Sequence, residues 1–133
     1  MELNISNAAV IAGRSRGRRI GTPTINVDVS CAPKSMRHGI YACFILIHRK
    51  QYRGAMHYGP RPVFKDTETL EVHVLDAVIN QPPKTVDIIV VGRIRDVRDF
   101  RDAEALQRAI SEDIVQTRAM LDEYEIASQK ALS

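Results

Sequence analysis

A strict alternation of apolar and polar residues recurs through the first two thirds of this chain and constrains its fold strongly. Residues 25–30 read INVDVS and residues 70–75 read LEVHVL, the period-two pattern of a strand with one buried face. Glycine and proline turn signals separate such stretches, and no helical pattern lies between them. We therefore expect about six strands over residues 8–95, in an antiparallel barrel or sandwich. The predicted strands are 8–12, 25–29, 40–48, 51–58, 70–74 and 85–94.

The pattern changes to helical spacing near residue 102. It predicts a helix over 102–126 that packs alongside the strands, with Asp102 as its N-cap. The stripe expected to be buried comprises Leu106, Ile110, Ile114, Thr117 and Leu121. The opposite face is expected to be solvated, with Glu104, Arg108, Glu112, Arg118 and Glu123.

Size and composition indicate the class of protein. The 133 residues fit one domain, 1–133. No apolar run approaches the ~18–20 residues of a membrane span, and the first residues lack the basic and apolar regions of a secretory signal. Two cysteines, Cys31 and Cys43, do not make a disulfide framework or a zinc site. We predict a cytoplasmic protein with reduced thiols.

The densest candidate for chemistry is segment 13–26, which reads GRSRGRRIGTPTIN. Its four arginines alone exceed the formal net charge of the chain, which is +3. Glycines let backbone N–H groups approach an anion and arginines neutralise it, so the segment predicts a phosphate site. It is neither a Walker loop nor a Rossmann fingerprint. A solvated loop and an RNA-binding segment are the alternatives that composition leaves open.

Two pairs of polar residues stand at strand spacing. Thr24 and Asn26 share one strand face, where a hydroxyl and an amide oxygen suit Mg²⁺; a turn held by side-chain hydrogen bonds is the alternative. Glu71 and His73 share the polar face of a later strand, where a carboxylate could take a proton from a hydroxyl nucleophile. From the residues alone, a solvated strand face is the more ordinary interpretation of the second pair.

These motifs, in this order, resemble the ATP-dependent riboflavin kinase (flavokinase) family, as found in the C-terminal half of bacterial bifunctional riboflavin kinase/FAD synthetases. The resemblance runs from about residue 9 to residue 118. It rests on GRSRGRRIGTPTIN, SMRHGIYA, GAMHYGPRPVF, LEVHVLD and IRDVRDF, followed by the terminal helix.

The resemblance implies a closed six-stranded antiparallel Greek-key barrel with the helix alongside. It also implies transfer of the γ-phosphate of ATP to riboflavin, giving FMN and ADP with Mg²⁺. Glu71 would be the base, and Thr24 and Asn26 would hold the metal. The nucleotide would contact Gly13, Ser15, Arg16, Gly17, Arg18, Arg19, Gly21, Pro23 and Thr24. The flavin would contact Arg61, Arg95, Asp96 and Phe100.

The same resemblance implies small-molecule partners, with neither nucleic acid nor membrane, and we expect a monomer. No adenylyltransferase half accompanies the motifs, so FAD formation would need a separate FAD synthetase.

Several positions depart from the family pattern on the flavin side. His57 and Tyr58 stand where Asn-Ile is frequent, Val63 replaces a threonine, and the Tyr-Gly pair after the LEVHVLD strand is missing. An alternative is therefore a flavin- or nucleotide-binding barrel without turnover. An RNA-binding barrel is a weaker alternative, because no aromatic residue interleaves with the arginines.

Overall fold

The described part of the chain consists of six strands followed by one long helix. A computed structural model describes residues 3–11, 23–61 and 64–132, apart from the side chains of 61–67 and 132. The elements are β1 (Leu3–Ala9), β2 (Thr24–Val27), a short 3-10 helix (Val29–Cys31), β3 (Gly39–Ile47), β4 (Lys50–Arg61), β5 (Phe64–Val74), β6 (Thr85–Arg95) and α1 (Ala103–Leu132).

The strands form one antiparallel sheet in the order β1-β6-β3-β4-β5-β2. Strands β3 to β5 form a meander and β6 returns beside β3, which is a Greek key. The two edge strands meet where Val10 bridges Val27, with hydrogen bonds from Ile11 N to Asn26 O (2.8 Å) and from Asp28 N to Ala9 O (2.9 Å). The predicted six-stranded Greek-key barrel is confirmed.

The barrel interior is mostly aliphatic and is built from alternate residues of the strands, except at the bulge in β1. On β5 the inward residues are Leu70, Val72 and Val74, all fully or almost fully buried. The other strands supply Ile25, Val27, Tyr41, Cys43, Ile45, Ile47, Met56, Val86, Ile88 and Val90. Residues between these inward positions therefore lie on the outer face, where the helix and the candidate site are found.

The helix covers the outer face of β3, β4 and β6. Leu121 packs with Ala42 and Phe44 in a second apolar cluster, and the Phe44 and Tyr124 rings lie 5.8 Å apart. Ion pairs fasten the helix to the strands and their connections: Arg53 with Asp122 and Glu125, Arg95 with Asp113, and Arg118 with Asp76. Among the described residues, no helical segment has the length and apolarity needed to cross a membrane.

The first strand was wrongly placed at residues 8–12; it runs from Leu3 to Ala9, and residue 12 lies outside the described residues. A β-bulge lies between Ile5 and Ala8, with Asn7 at a φ of 52° and its N–H bonded to Asp87. The bulge breaks the alternation, so the apolar period does not reveal the strand.

Residue 29 was also wrongly assigned to the second strand. The Asp28 side chain accepts hydrogen bonds from the Ser30 N–H (3.0 Å) and hydroxyl (2.8 Å). This local capping ends the strand at Val27 and starts a 3-10 turn that contains Val29.

The helix itself is confirmed, and the Asp102 carboxylate caps it through the Ala105 N–H at 2.8 Å. It continues beyond the predicted end at 126 to Leu132, through residues with good helix propensity. Leu106 is 42% exposed and does not belong to the buried stripe. Arg118, predicted to be solvated, is half-buried and pairs with Asp76.

Candidate active site

A row of polar side chains crosses three neighbouring strands on the outer face. The register pairs Thr24 with His73 and Asn26 with Glu71 between β2 and β5, and pairs His57 with Glu71 between β4 and β5. We call these five residues the polar row. Directly opposed residues in an antiparallel pair have Cβ atoms about 4.5–5.5 Å apart, so Glu71 is flanked by an amide on one side and an imidazole on the other.

Glu71 is buried, with only 5% of its surface exposed. The interpretation of its strand face as solvated is therefore wrong. A carboxylate withdrawn from water is costly unless polar groups compensate it, and Asn26 and His57 are the polar residues that the register places beside it. Alternation along β5 predicted the face of the sheet but not this burial.

Thr24 and Asn26 share the outer face, as their spacing predicted. The Thr24 hydroxyl oxygen lies 3.2 Å from Nδ1 of His73, and the carbonyl of Pro23 accepts a 2.9 Å hydrogen bond from Val74 N. Pro23 and Thr24 are thus fixed against β5 by one backbone contact and one side-chain contact.

The side-chain oxygens of Thr24 and Asn26 suit a hard cation. The hydroxyl of Thr24 and the amide of Asn26 are the kinds of ligand that Mg²⁺ takes, and Mg²⁺ commonly uses few protein ligands together with phosphate oxygens. Within the parts of the chain that the structure describes, no group of three or more His, Cys, Asp or Glu side chains is placed to hold a metal ion.

The predicted phosphate-binding residues Gly13, Ser15, Arg16, Gly17, Arg18, Arg19 and Gly21 lie outside the described residues. The chain on either side of them is described. Ile11 donates its N–H to the carbonyl of Asn26 at 2.8 Å, and Pro23 leads directly into Thr24. Ile11 and Pro23, the described residues on either side of 12–22, therefore adjoin the polar row.

Three of the predicted flavin residues meet where β6 ends. Arg95 forms a two-point ion pair with Asp113 of the helix and donates from Nη1 to the carbonyl of Asp96 at 2.9 Å. Its guanidinium carbon lies 5.5 Å from the centre of the Phe100 ring. Asp96 pairs with Arg93, which lowers the pKa of Asp96 chiefly through their hydrogen bond. Arg61 ends β4, and its side chain lies outside the described residues.

Strand register connects Arg95, one of the predicted flavin residues, with Glu71. On the outer face, Glu71 pairs with His57, His57 with Ile40, and Ile40 with Arg95. Neighbouring strands lie about 4.8 Å apart, so the three steps correspond to roughly 14 Å along the curved sheet. The predicted base Glu71 and one predicted flavin residue, Arg95, therefore belong to one transverse row.

Two departures from the family pattern are described: His57 belongs to this row, whereas Tyr58, the next residue, packs against the barrel interior. His57 is opposite Glu71, and its Nδ1 lies 3.3 Å from the Thr69 hydroxyl. Tyr58 makes an edge contact with the His38 ring at 5.1 Å, and burial, followed by the nearby Glu68 charge, raises its pKa. Val63 lies outside the described residues.

Sequence reasoning missed Asp113, the partner of Arg95. A signal was present in the sequence, because Asp113 stands four residues before Thr117 and eight before Leu121, both in the predicted buried stripe. The helix buries all three, together with Ala109. An acid within a buried stripe predicts a cationic partner on the facing strand. His57 was noted only as a departure; its place opposite Glu71 depends on the β4–β5 register.

A sequence model of the riboflavin kinase (Flavokinase) family matches residues 4–121 of this chain. The chain belongs to the riboflavin kinase family. The match includes the whole polar row and the Arg95–Asp113 pair, so both lie within the family domain.

Curated relatives in this family are longer than this chain. It is 27% identical over 114 residues to an RNA-binding riboflavin kinase of Bacillus subtilis, covering 84% of this chain and 49% of that protein. It is 30% identical over 113 residues to a bifunctional riboflavin kinase/FMN adenylyltransferase of Pseudomonas fluorescens, covering 84% of this chain and 36% of that protein. The chain thus spans half or less of the length of these relatives.

Solved structures show the same fold. A riboflavin kinase from Trypanosoma brucei superposes with a TM-score of 0.60 at 24% identity, covering 91% of this chain and 79% of that one. A Streptococcus pneumoniae structure named as a macrolide-efflux protein gives a TM-score of 0.71 at 28% identity, covering 88% of this chain and 38% of that one.

Proposed function

We propose that this member of the riboflavin kinase family transfers the γ-phosphate of ATP to the ribityl 5′-hydroxyl of riboflavin, giving FMN and ADP. The observation that carries the proposal is the buried Glu71 carboxylate, flanked by Asn26 and His57 in the family domain. Phosphoryl transfer needs positioned phosphates, compensated charge and an oriented nucleophile, and the polar row offers groups for the last two.

Glu71 would act as the general base. Its carboxylate accepts the proton of the 5′-hydroxyl as that oxygen forms its bond to the γ-phosphorus and the bond from phosphorus to the ADP oxygen breaks. Burial keeps the carboxylate from exchanging its hydrogen bonds with bulk water, and its flanking residues limit its orientation. A base of this kind typically contributes about 10²–10⁴-fold to the rate.

Segment 13–21 would bind the ATP phosphates through Gly13, Ser15, Arg16, Gly17, Arg18, Arg19 and Gly21, continuing into Pro23 and Thr24. Support comes from the concentration of arginine and glycine and from the anchoring of both neighbouring residues, Ile11 and Pro23, beside the polar row. Backbone N–H groups and guanidinium groups together suit a polyphosphate.

Thr24 and Asn26 would hold Mg²⁺, because they present a hydroxyl and an amide oxygen on one face. When bound there, the ion would supply positive charge that offsets the charge of the phosphates.

Riboflavin would extend along the transverse row from Glu71 toward the end of β6. Phe100 offers an aromatic face for the flavin ring, and Asp96 and Arg61 offer polar contacts. Arg95 would contribute by holding residues 96–100 in place, because Asp113 and the Asp96 carbonyl already engage its guanidinium.

A second candidate is a barrel that binds flavin or nucleotide without turnover. His57 favours it, because it replaces a frequent family residue directly opposite Glu71. RNA binding is not proposed, because this chain covers 49% of the relative whose name includes that activity. We propose that the protein is a monomer in the cytoplasm.

The test is incubation of the purified chain with riboflavin, ATP and Mg²⁺, followed by chromatography with fluorescence detection of FMN. The kinase predicts FMN that increases with time and with enzyme concentration. Saturable riboflavin binding without FMN, under several nucleotides and divalent metals, would support the second candidate instead.

A further inference from the structure

We propose that His73 is a positioning residue that accepts a hydrogen bond from the Thr24 hydroxyl and so directs the Thr24 oxygen lone pairs toward a cation–nucleotide complex. This inference rests on the proposed function, because it concerns the site assigned there to Mg²⁺ and the nucleotide. It assigns Nδ1 of His73 as the acceptor and the Thr24 hydroxyl as the donor.

The geometry begins with strand register. Thr24 and His73 are directly opposed on β2 and β5, and the Thr24 oxygen lies 3.2 Å from Nδ1 in a partly buried contact. The neighbouring hydrogen bond from Val74 N to Pro23 O, at 2.9 Å, fixes the backbone just before Thr24. The hydroxyl therefore faces the imidazole through two independent constraints.

The chemistry of a hydroxyl makes the direction of this bond important. A threonine hydroxyl has one proton and two lone pairs, and its proton rotates to suit its surroundings. A cation binds only a lone pair, so a hydroxyl whose proton points toward the ion must first rotate. An acceptor behind the oxygen removes that rotation, and both lone pairs stay available.

Residues that hydrogen-bond to a metal ligand commonly control its orientation. Losing such a residue typically costs about 10–100-fold in metal affinity or activity. His73 is suited to this role because its ring is held on a strand rather than on a loop. The reverse arrangement, with Nδ1–H donating to Thr24, would occupy a lone pair and compete with the ion.

The test uses two substitutions with opposite expectations. His73→Phe keeps a planar ring and removes the acceptor, whereas His73→Asn keeps a polar atom near the position of Nδ1. The measurement is the dissociation constant of Mg²⁺·ADP by isothermal titration calorimetry, which needs no turnover. We expect His73→Phe to weaken binding by about 10-fold or more and His73→Asn to restore most of it.

A matched control and a double-mutant cycle complete the design. His48→Asn removes a histidine from the β3–β4 turn, where asparagine tolerates the φ of 49°, and it should leave the dissociation constant unchanged. Thr24→Val removes the hydroxyl at nearly constant shape. If His73 acts through Thr24, His73→Phe adds little in the Thr24→Val background.

Three results would overturn the inference: an unchanged dissociation constant in His73→Phe, an equal loss in the Thr24→Val background, or no binding of Mg²⁺·ADP by the unmodified chain. Melting temperatures identify variants that have simply unfolded, and His73→Asn then carries the comparison. Normal FMN formation with unchanged ADP affinity in His73→Phe would overturn this inference and leave the kinase intact. If the variants lose binding as predicted but the unmodified chain forms no FMN, the inference about His73 is supported and the kinase activity is contradicted.

Discussion

The guanidinium of Arg95 meets the carboxylate of Asp113 at two points, with Nε 2.8 Å from Oδ1 and Nη2 2.7 Å from Oδ2. The contact joins the end of β6 to the helix, and the Asp113 side chain is only 10% exposed. Such two-point pairs are geometrically specific as well as strong. The pair therefore fixes the helix relative to the strand end that leads into residues 96–100.

Removing the Asp113 carboxylate should leave the positive charge of Arg95 uncompensated. We expect Asp113→Ala to lower the free energy of unfolding by about 2 kcal/mol or more, measured by urea denaturation. Asp76→Asn is the matched control, because the Asp76–Arg118 pair is far more exposed and exposed pairs contribute little. Equal losses in the two variants would contradict the structural role of the Arg95–Asp113 pair.

Two glycines on strands should respond differently to an added methyl group. A Cβ on Gly54 would lie 2.6 Å from Val72 Cγ1 and 3.1 Å from Cys43 Sγ inside the barrel, whereas one on Gly92 would lie 2.5 Å from the Met120 sulfur. A branched core side chain cannot move aside as a thioether can. Gly54→Ala should therefore cost about 1–3 kcal/mol of unfolding free energy, and Gly92→Ala less. The reverse ranking would show that the interior is less tightly packed than described.

The two thiols should differ in reactivity. Cys43 is completely buried, and burial raises the pKa of its thiol to about 12, so almost no thiolate forms at pH 8. Cys31 is partly exposed. Iodoacetamide at pH 8 should modify Cys31 alone in the folded protein and both cysteines in urea, as counted by mass spectrometry. Rapid modification of Cys43 under native conditions would contradict its burial.

Acid should weaken the exposed ion pair between the helix and the turn after β5. The hydrogen bond from Arg118 lowers the pKa of Asp76 below its usual value of 3.8. A carboxyl with a lowered pKa stabilises the fold above its unfolded pKa, and this stabilisation is lost as pH falls through the folded pKa. The stability difference between the unmodified chain and Asp76→Asn should thus be present at pH 7, begin to fall near pH 3.8, and disappear once the pH is below the lower pKa of the folded state. A difference independent of pH would contradict the pairing.

The alternation along β5 was enough to predict that Leu70, Val72 and Val74 face the core, because a strand places alternate residues on one face. It could not predict that Glu71 is buried, because alternation does not say what covers the opposite face. Burial depends on tertiary contacts that no single strand encodes.

The first strand and the helix show two further limits. Because of the bulge at Asn7, the residues of β1 before and after it do not follow a single apolar–polar alternation. The alternation therefore does not predict this strand, although local hydrogen bonds explain its structure. The buried stripe of the helix differs from the predicted one, because Asp113 belongs to it and Leu106 does not. Because charged residues usually face solvent, the sequence alone does not predict that Asp113 is buried. Its ion pair with Arg95 on β6 explains the burial.

The role assigned to Glu71 predicts a specific kinetic change. Glu71→Gln keeps nearly the same shape and removes the proton acceptor, so kcat for FMN formation should fall by about 10²-fold or more. The dissociation constant of Mg²⁺·ADP should change little. Glu123→Gln, on the exposed helix face, is the matched control and should retain full activity. A fully active Glu71→Gln variant would remove Glu71 as the base.

The central claim is that this chain phosphorylates riboflavin with ATP. The most direct measurement is the product balance after incubation of the purified chain with riboflavin, ATP and Mg²⁺, with FMN and ADP quantified by chromatography in the same sample. The account predicts equal amounts of FMN and ADP, both strongly reduced in Glu71→Gln. ADP without FMN, or neither product from a folded protein that binds both substrates, would contradict it.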